Sequence, residues 1–139
     1  MPAVLISLGT NTGNPSIIRQ AQSELERMLS DVRHSSIQRT SPIGISCGDF
    51  LNSMTVGKTT QTTDELVKQL KALERRCGDK KSLRRQGIIV LDVDLLLYDT
   101  QRHHEEDWNR DYVQELASEL LDKELLDKRN DQNQGKGNS

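Results

Sequence analysis

The chain has 139 residues, 33% hydrophobic and 29% charged, with a formal net charge of -2, which is one domain's worth of sequence with material for a modest core. An aromatic content of 3% and the slightly acidic balance argue against a nucleic-acid partner, whose binding calls for basic patches and stacking rings. No apolar run approaches the roughly 20 residues of a membrane-spanning helix, and the opening MPAVLISLGT reads as a strand rather than a leader, so the expectation is a cytoplasmic protein with no membrane partner.

Residues 4–8 form a short apolar strand that ends in Gly9-Thr10-Asn11-Thr12-Gly13, a turn of residues tolerant of unusual backbone angles. Asn14-Pro15 has the form of an N-cap followed by proline at the first helical position. Ile17, Ile18, Ala21, Leu25, Met28 and Leu29 then recur at helical spacing and predict a first helix. Residues 32–39 alternate imperfectly and lead into residues 40–48, a long loop marked by Pro42, Gly44 and Gly48, of the kind that often carries function.

Residues 50–58 alternate again, predicting a strand paired with the one before it. Thr62-Thr63-Asp64-Glu65 has the spacing of a capping box, so a second helix starts there, buries Leu66, Leu70 and Leu73, and ends at Gly78. A basic loop follows, between Gly78 and Gly87. Residues 88–98 make the strongest strand, with Ile89, Leu91, Val93, Leu95 and Leu97 on one face and Asp92 and Asp94 interrupting the other. A third helix is predicted over residues 111–126, burying Val113, Leu116 and Leu120. Beyond residue 127 the chain is wholly polar and cannot bury enough apolar area to offset ordering entropy. The expectation is therefore one domain over residues 1–127 and a mobile tail over 128–139. The element order is that of a ferredoxin-like βαββαβ fold of the α+β class, an antiparallel sheet with helices on one face, followed here by a C-terminal helix. The second face is left for a site.

Asp92 and Asp94 stand two apart on a strand, so their side chains leave the same face with α-carbons about 6.6 Å apart. Charge in an apolar strand is costly unless compensated. A divalent cation compensates two carboxylates facing one way, and hard oxygen ligands favour magnesium, which completes its shell with water and phosphate. The alternative is a pair of surface aspartates, each paired with a nearby arginine. The basic run Arg75, Arg76, Lys80, Lys81, Arg84 and Arg85 is either a solvated face or a set of cations that swing over metal-held phosphates. Asn52, beside Phe50, is either a strand-edge residue or an amide that reads the edge of a flat heterocycle. Cys47 and Cys77 have no CxxC partner and read as free thiols.

Seven segments, in register from Val4 to Leu121, resemble the 6-hydroxymethyl-7,8-dihydropterin pyrophosphokinase family. Gly9-Thr10-Asn11 is similar to its opening Gly-Ser-Asn, Arg39-Thr40-Ser41-Pro42-Ile43-Gly44 to its Arg-Thr-x-Pro-x-Gly loop, and Phe50-Leu51-Asn52 to its Tyr/Phe-Leu-Asn strand. Leu73-Glu74, Arg85-Gln86-Gly87 and Leu91-Asp92-Val93-Asp94-Leu95 resemble its signature, and Arg110-Asp111-Tyr112-Val113 its Arg-x-Phe-Val segment.

The resemblance implies transfer of pyrophosphate from ATP to the hydroxymethyl group of a dihydropterin, with release of AMP, in folate biosynthesis. It implies two magnesium ions on Asp92 and Asp94, and a catalytic cation at Arg85. Glu74, Lys81, Arg85, His104 and Arg110 would contact the nucleotide, while Thr40, Ile43, Phe50, Asn52 and Tyr112 would hold the pterin. The expected partners are these two small molecules, and the expected working unit is a monomer. The chain departs from the family at Gln86, Ile88 and Ile89, which stand where an aromatic residue, a small residue and a phosphate-gripping arginine are usual. The segment from Tyr98 to His104 is also shortened, with His103 where a proline is usual. These departures give a second reading, a catalytically weakened relative that binds a pterin or nucleotide or serves as a partner protein.

Overall fold

A computed structural model describes residues 1–41 and 49–121. The loop 42–48, which holds Ile43 and Cys47, lies outside the described residues, as do the far end of the third predicted helix and the polar tail. The elements in order are β1 (Ala3–Thr10), α1 (Pro15–Met28), β2 (Ser30–His34), β3 (Gln38–Thr40), β4 (Phe50–Lys58), α2 (Thr63–Arg76), α3 (Lys81–Arg85), β5 (Asp92–Tyr98), β6 (Gln101–Arg102), a 3-10 helix (Glu105–Asn109) and α4 (Asp111–Ser118). The sheet runs β2-β4-β1-β5-β6, with β3 continuing beside β4, and every pairing is antiparallel. This is the α+β arrangement the element order implied.

Local chemistry sets the helix starts. The Asn14 side chain accepts the Ser16 N–H at 3.0 Å ahead of Pro15, and Thr62 and Glu65 exchange both bonds of a capping box at 3.2 and 3.3 Å. Gly78 ends α2 at φ +102, a backbone region unfavourable to any residue with a Cβ.

Two apolar layers sandwich the sheet. Ile18, Ala21 and Leu25 of α1 and Leu66, Leu70 and Leu73 of α2 pack on Val4, Ile6, Leu8, Leu91, Val93 and Leu95. On the other face Trp108, Val113, Leu116, Ala117 and Leu120 cover Leu5, Met54, Leu96 and Leu97. The expectation of a second face left free thus gives way to a face half covered by α4 and the 3-10 helix. Arg102 stacks on the Trp108 ring at 4.4 Å and shields that end.

Three local departures from the sequence reading have side-chain causes. The strand expected over residues 32–39 splits into β2 and β3 because Ser35 leaves the ladder, its N–H donating to the Met54 carbonyl and its hydroxyl accepting the Met54 N–H, both at 2.8 Å. The strand expected over residues 88–98 begins at Asp92, since the stretch before it is held by Asn11, whose Oδ1 accepts the Ile89 N–H at 2.7 Å and whose Nδ2 donates to the Gly87 carbonyl at 2.8 Å. Leu97 leaves the face of Leu95, because the register shift opposite Leu5 and Ile6 sends both Leu96 and Leu97 to the α4 side.

The outer edge of β5 matters most for the site. β6 pairs with Leu97 and Tyr98, and among the described residues no strand lies beside the first half of β5 on that side. Unpaired backbone groups at a buried edge are costly, and here side chains of α2 and the α2–β5 connection replace the missing strand. Asp79 accepts the Val90 and Leu91 N–H groups at 3.1 and 3.3 Å, and Arg84 donates to the Leu91 carbonyl at 3.0 Å. Glu74 accepts the Val93 N–H at 2.7 Å, and Lys71 donates to the Val93 carbonyl at 2.8 Å. Acid and base alternate along the edge, and they pair with each other, Arg84 with Asp79 at 2.6 Å and Lys71 with Glu74 at 3.0 Å. Asp79→Ala should strip two N–H groups and one buried-facing cation of their acceptor and cost about 2–4 kcal/mol in urea unfolding, whereas Asp64→Ala on the exposed face of α2 should leave the midpoint almost unmoved.

Candidate active site

A cleft of about 860 Å³ opens on the α4 side of the sheet, where α4 stops short of covering β1, β4 and the start of β5, and the volume suits a small-molecule site. Its floor follows from strand register. Gly9 lies between Asn52 of β4 and Asp92 of β5, and one step along the sheet Ser7 lies between Met54 and Asp94. Successive residues on a strand alternate faces, so Asp92 and Asp94 share the cleft side while Val93 and Leu95 enter the core. Gly9 keeps the floor open, since a Cβ there would stand 3.4 Å from Asn52 Oδ1 and 3.7 Å from the Phe50 ring. Thr40, Phe50 and Asn52 form one wall, Tyr112 and Arg110 another, and Ile89 closes the end beside Asp92.

Asn52 is buried, and its Nδ2 donates to Thr40 Oγ1 at 2.7 Å, which fixes the amide plane. Burial pushes the Tyr112 phenol up, against the pull of the Arg110 hydrogen bond, so it presents a neutral ring and hydroxyl. Burial also raises the Asp92 carboxyl above the ordinary aspartate range, and the charge of Asp94 adds to that rise, while Lys71 and Arg84 pull the other way without offsetting it. Arg84 reaches Asp92 Oδ1 at 3.3 Å and Lys71 reaches Asp94 Oδ1 at 3.2 Å. The two acids therefore face one cavity and repel each other, and the nearby cations do not offset the burial of Asp92.

That is the electrostatic setting a divalent ion would relieve. Among the described residues no group of three or more His, Cys, Asp or Glu side chains is placed to hold a metal, so this chain would offer two carboxylates and leave the remaining positions to water and ligand. Magnesium accepts such a set, and the residues fit it.

Of the residues singled out in the sequence, Thr40, Phe50, Asn52, Asp92, Asp94, Arg110 and Tyr112 line this one cleft. Ile43 lies outside the described residues. His104 is exposed and adopts a left-handed backbone at φ 54, with Nε2 3.8 Å from Asp94 Oδ1, at the rim. Glu74 is buried in the sheet-edge network, bound to Val93 and Lys71. Lys81 and Arg85 are exposed on α3 and absent from the described lining.

Sequence reading missed Lys71 and Asp79, and it set Arg84 over phosphates where the structure binds it to Asp79, Leu91 and Asp92. The i,i+3 spacing of Lys71 and Glu74 was the available signal. Its target on another element was not visible. Of the alternative, surface aspartates each paired with an arginine, the structure has Asp92 beside Arg84 and Asp94 beside Lys71, with both acids in the cleft lining rather than on an open face.

A small antiparallel α+β domain with a paired-carboxylate cleft is the class this geometry defines. Residues 5–122 match the family model of 7,8-dihydro-6-hydroxymethylpterin-pyrophosphokinase (HPPK), and the chain belongs to that family. It is 33% identical over 112 residues to a folate synthesis bifunctional protein of Chlamydia caviae, covering 75% of this chain and 25% of that protein. With the 2-amino-4-hydroxy-6-hydroxymethyldihydropteridine pyrophosphokinase of Aquifex aeolicus it shares 32% identity over 100 residues, 70% of this chain and 62% of that one. A solved HPPK-DHPS of Plasmodium falciparum aligns at a TM-score of 0.47 and 12% identity over 91% of this chain and 34% of that one. The chain thus spans about a quarter of the length of the bifunctional relative and under two thirds of the Aquifex protein.

The raised Asp92 value makes a stability prediction whose sign is fixed. The native state holds that proton more tightly than the unfolded chain, so this group favours folding below the ordinary aspartate range and the contribution is lost as pH rises through the raised value. Asp92→Asn should accordingly raise the melting temperature in metal-free buffer near neutral pH, measured by differential scanning calorimetry with a chelator present, while abolishing any stabilisation by added magnesium.

Proposed function

We propose that this chain transfers pyrophosphate from ATP to the hydroxymethyl group of 6-hydroxymethyl-7,8-dihydropterin, dependent on magnesium, with AMP as the second product. The observation that carries this reading is the convergence of Asp92 and Asp94 with Asn52, Phe50, Thr40 and Tyr112 in one cleft, together with membership of a family of pyrophosphokinases.

In this reaction the hydroxymethyl oxygen bonds to the β-phosphorus of ATP, the bond from that phosphorus to the oxygen bridging the α-phosphate breaks, and the hydroxyl proton passes to solvent. Asp92 and Asp94 would hold magnesium, which would supply neutralisation of the polyphosphate charge. The protein's own residues do the positioning. The Asn52 amide, held in plane by Thr40, presents polar atoms to the edge of a flat heterocycle, with the Phe50 and Tyr112 rings beside its faces. Gly9 leaves the space between that heterocycle and Asp92 open, so the hydroxymethyl group projects toward the acids. Arg110, half exposed in the cleft wall and 3.6 Å from Asp107, is placed to meet phosphate. Lys81 and Arg85 lie outside the described lining and would reach a nucleotide only where it extends over α3.

One observation favours the second reading, a relative that binds without turnover: Ile89 occupies the cleft end where a cation would assist the transfer. Incubation with ATP, magnesium and the dihydropterin, followed by chromatography for AMP, separates the two. The proposal expects AMP in proportion to protein, and a loss of about a hundredfold or more in Asp94→Asn through removal of one ligand charge. Dihydropterin binding by calorimetry without AMP would instead support the binding relative.

A further inference from the structure

Lys71 reaches from α2 around the outer edge of the sheet to the rim of the cleft. An ammonium has three N–H donors, and this one meets three acceptors: the Val93 carbonyl at 2.8 Å, Glu74 Oε2 at 3.0 Å and Asp94 Oδ1 at 3.2 Å. The first two belong to the sheet edge. The third belongs to a carboxylate of the magnesium site proposed above. The Lys71 side chain is 40% exposed, against 9% for Glu74, so its head stands where the buried edge opens beside the cleft. Glu74 and Asp94 flank the ammonium with negative charge on two sides.

Asp94 would share its carboxylate between Lys71 and a bound divalent cation, and like charges compete for one carboxylate. The Val93 carbonyl and Glu74 would keep the ammonium beside Asp94 in either state. A cation anchored 3.2 Å from a carboxylate that would hold the metal is a donor available to the phosphates that the metal would neutralise. Arg84 stands toward Asp92 much as Lys71 does toward Asp94, but its Nε is committed to Asp79 at 2.6 Å and its Nη2 is shared between the Leu91 carbonyl and Asp92 Oδ1. In the described lining of the cleft Arg110 is the one Lys or Arg and Ile89 contributes no charge, so an ammonium at the rim beside Asp94 adds a second cation there.

Building on the proposed function, we infer that Lys71 is a polyphosphate-binding residue, pairing with Asp94 in the metal-free protein and passing that hydrogen bond to a phosphate oxygen of the metal-nucleotide complex. The test compares wild type, Lys71→Met and Lys71→Arg in the full chain by titration calorimetry. The probes are manganese ion alone and the magnesium complex of α,β-methylene-ATP, whose bridging carbon resists the cleavage. Loss of the competing ammonium should tighten manganese binding in Lys71→Met, while loss of the phosphate donor should weaken binding of the nucleotide complex by about tenfold or more. Lys71→Arg should recover most of the second effect.

A purely structural lysine would shift both affinities the same way or neither, and either result overturns the inference. Lys71→Gln keeps a donor for the Val93 carbonyl without the charge, and it gives the same readout should the methionine variant fail to fold. A wild type that binds no magnesium-nucleotide complex would remove the functional reading and this inference with it. Binding that is lost in Asp94→Asn yet unmoved in Lys71→Met would overturn this inference alone.

Discussion

The site depends on how the first half of β5 is held at the edge of the sheet. A strand needs partners for its backbone on both sides, and β5 has β1 on one side only along this stretch. Asp79, Arg84, Glu74 and Lys71 replace the missing neighbour, two carboxylates for N–H groups and two cations for carbonyls. Each buried carboxylate would be prohibitively costly alone, but each is bonded to backbone and to a cation, which is the condition under which buried charge is tolerated. The result is a braced strand that presents Asp92 and Asp94 side by side, with no further strand over them among the described residues.

The same network joins structure to chemistry. Arg84 and Lys71 secure the backbone of Leu91 and Val93 on the core side and touch Asp92 and Asp94 on the cleft side. Any cation that enters between the two acids therefore perturbs groups that hold the strand. Stability and ligand affinity draw on shared contacts, and the raised Asp92 value records how the balance stands without metal. Two acids held close together at a sheet edge cost the fold some stability, the usual condition of a site arranged for chemistry rather than for folding.

The opposite wall belongs to the second apolar layer. Trp108 and the buried side of α4 fix where Arg110 and Tyr112 enter the cleft, and the α4 side of the sheet receives both Leu96 and Leu97 because of the β-bulge in β5. The bulge thus widens the platform on which α4 packs at the point where the strand turns from acids to leucines. Gly9 completes the arrangement by leaving a gap in the floor between amide and acid.

Much of this was legible in one dimension. The alternation around Asp92 and Asp94 placed both acids on one side of a strand, the Thr62 and Asn14 caps located two helices, and the spacing of Thr40, Phe50, Asn52 and Tyr112 within a family pattern named the walls of the cleft. Those features arise from periodicity and local hydrogen bonding, which act over a few residues and leave a mark in the sequence. What tertiary structure decided involves partners far apart in the chain. Glu74 became a brace for Val93, Lys71 and Arg84 became the counter-cations of the acid pair, Ser35 broke a strand by bonding Met54, and α4 crossed a face expected to stay open. A charged side chain commits to whichever opposite charge or bare backbone group the packed elements bring within about 3 Å, and which groups those are is settled only when the sheet and helices have closed on one another.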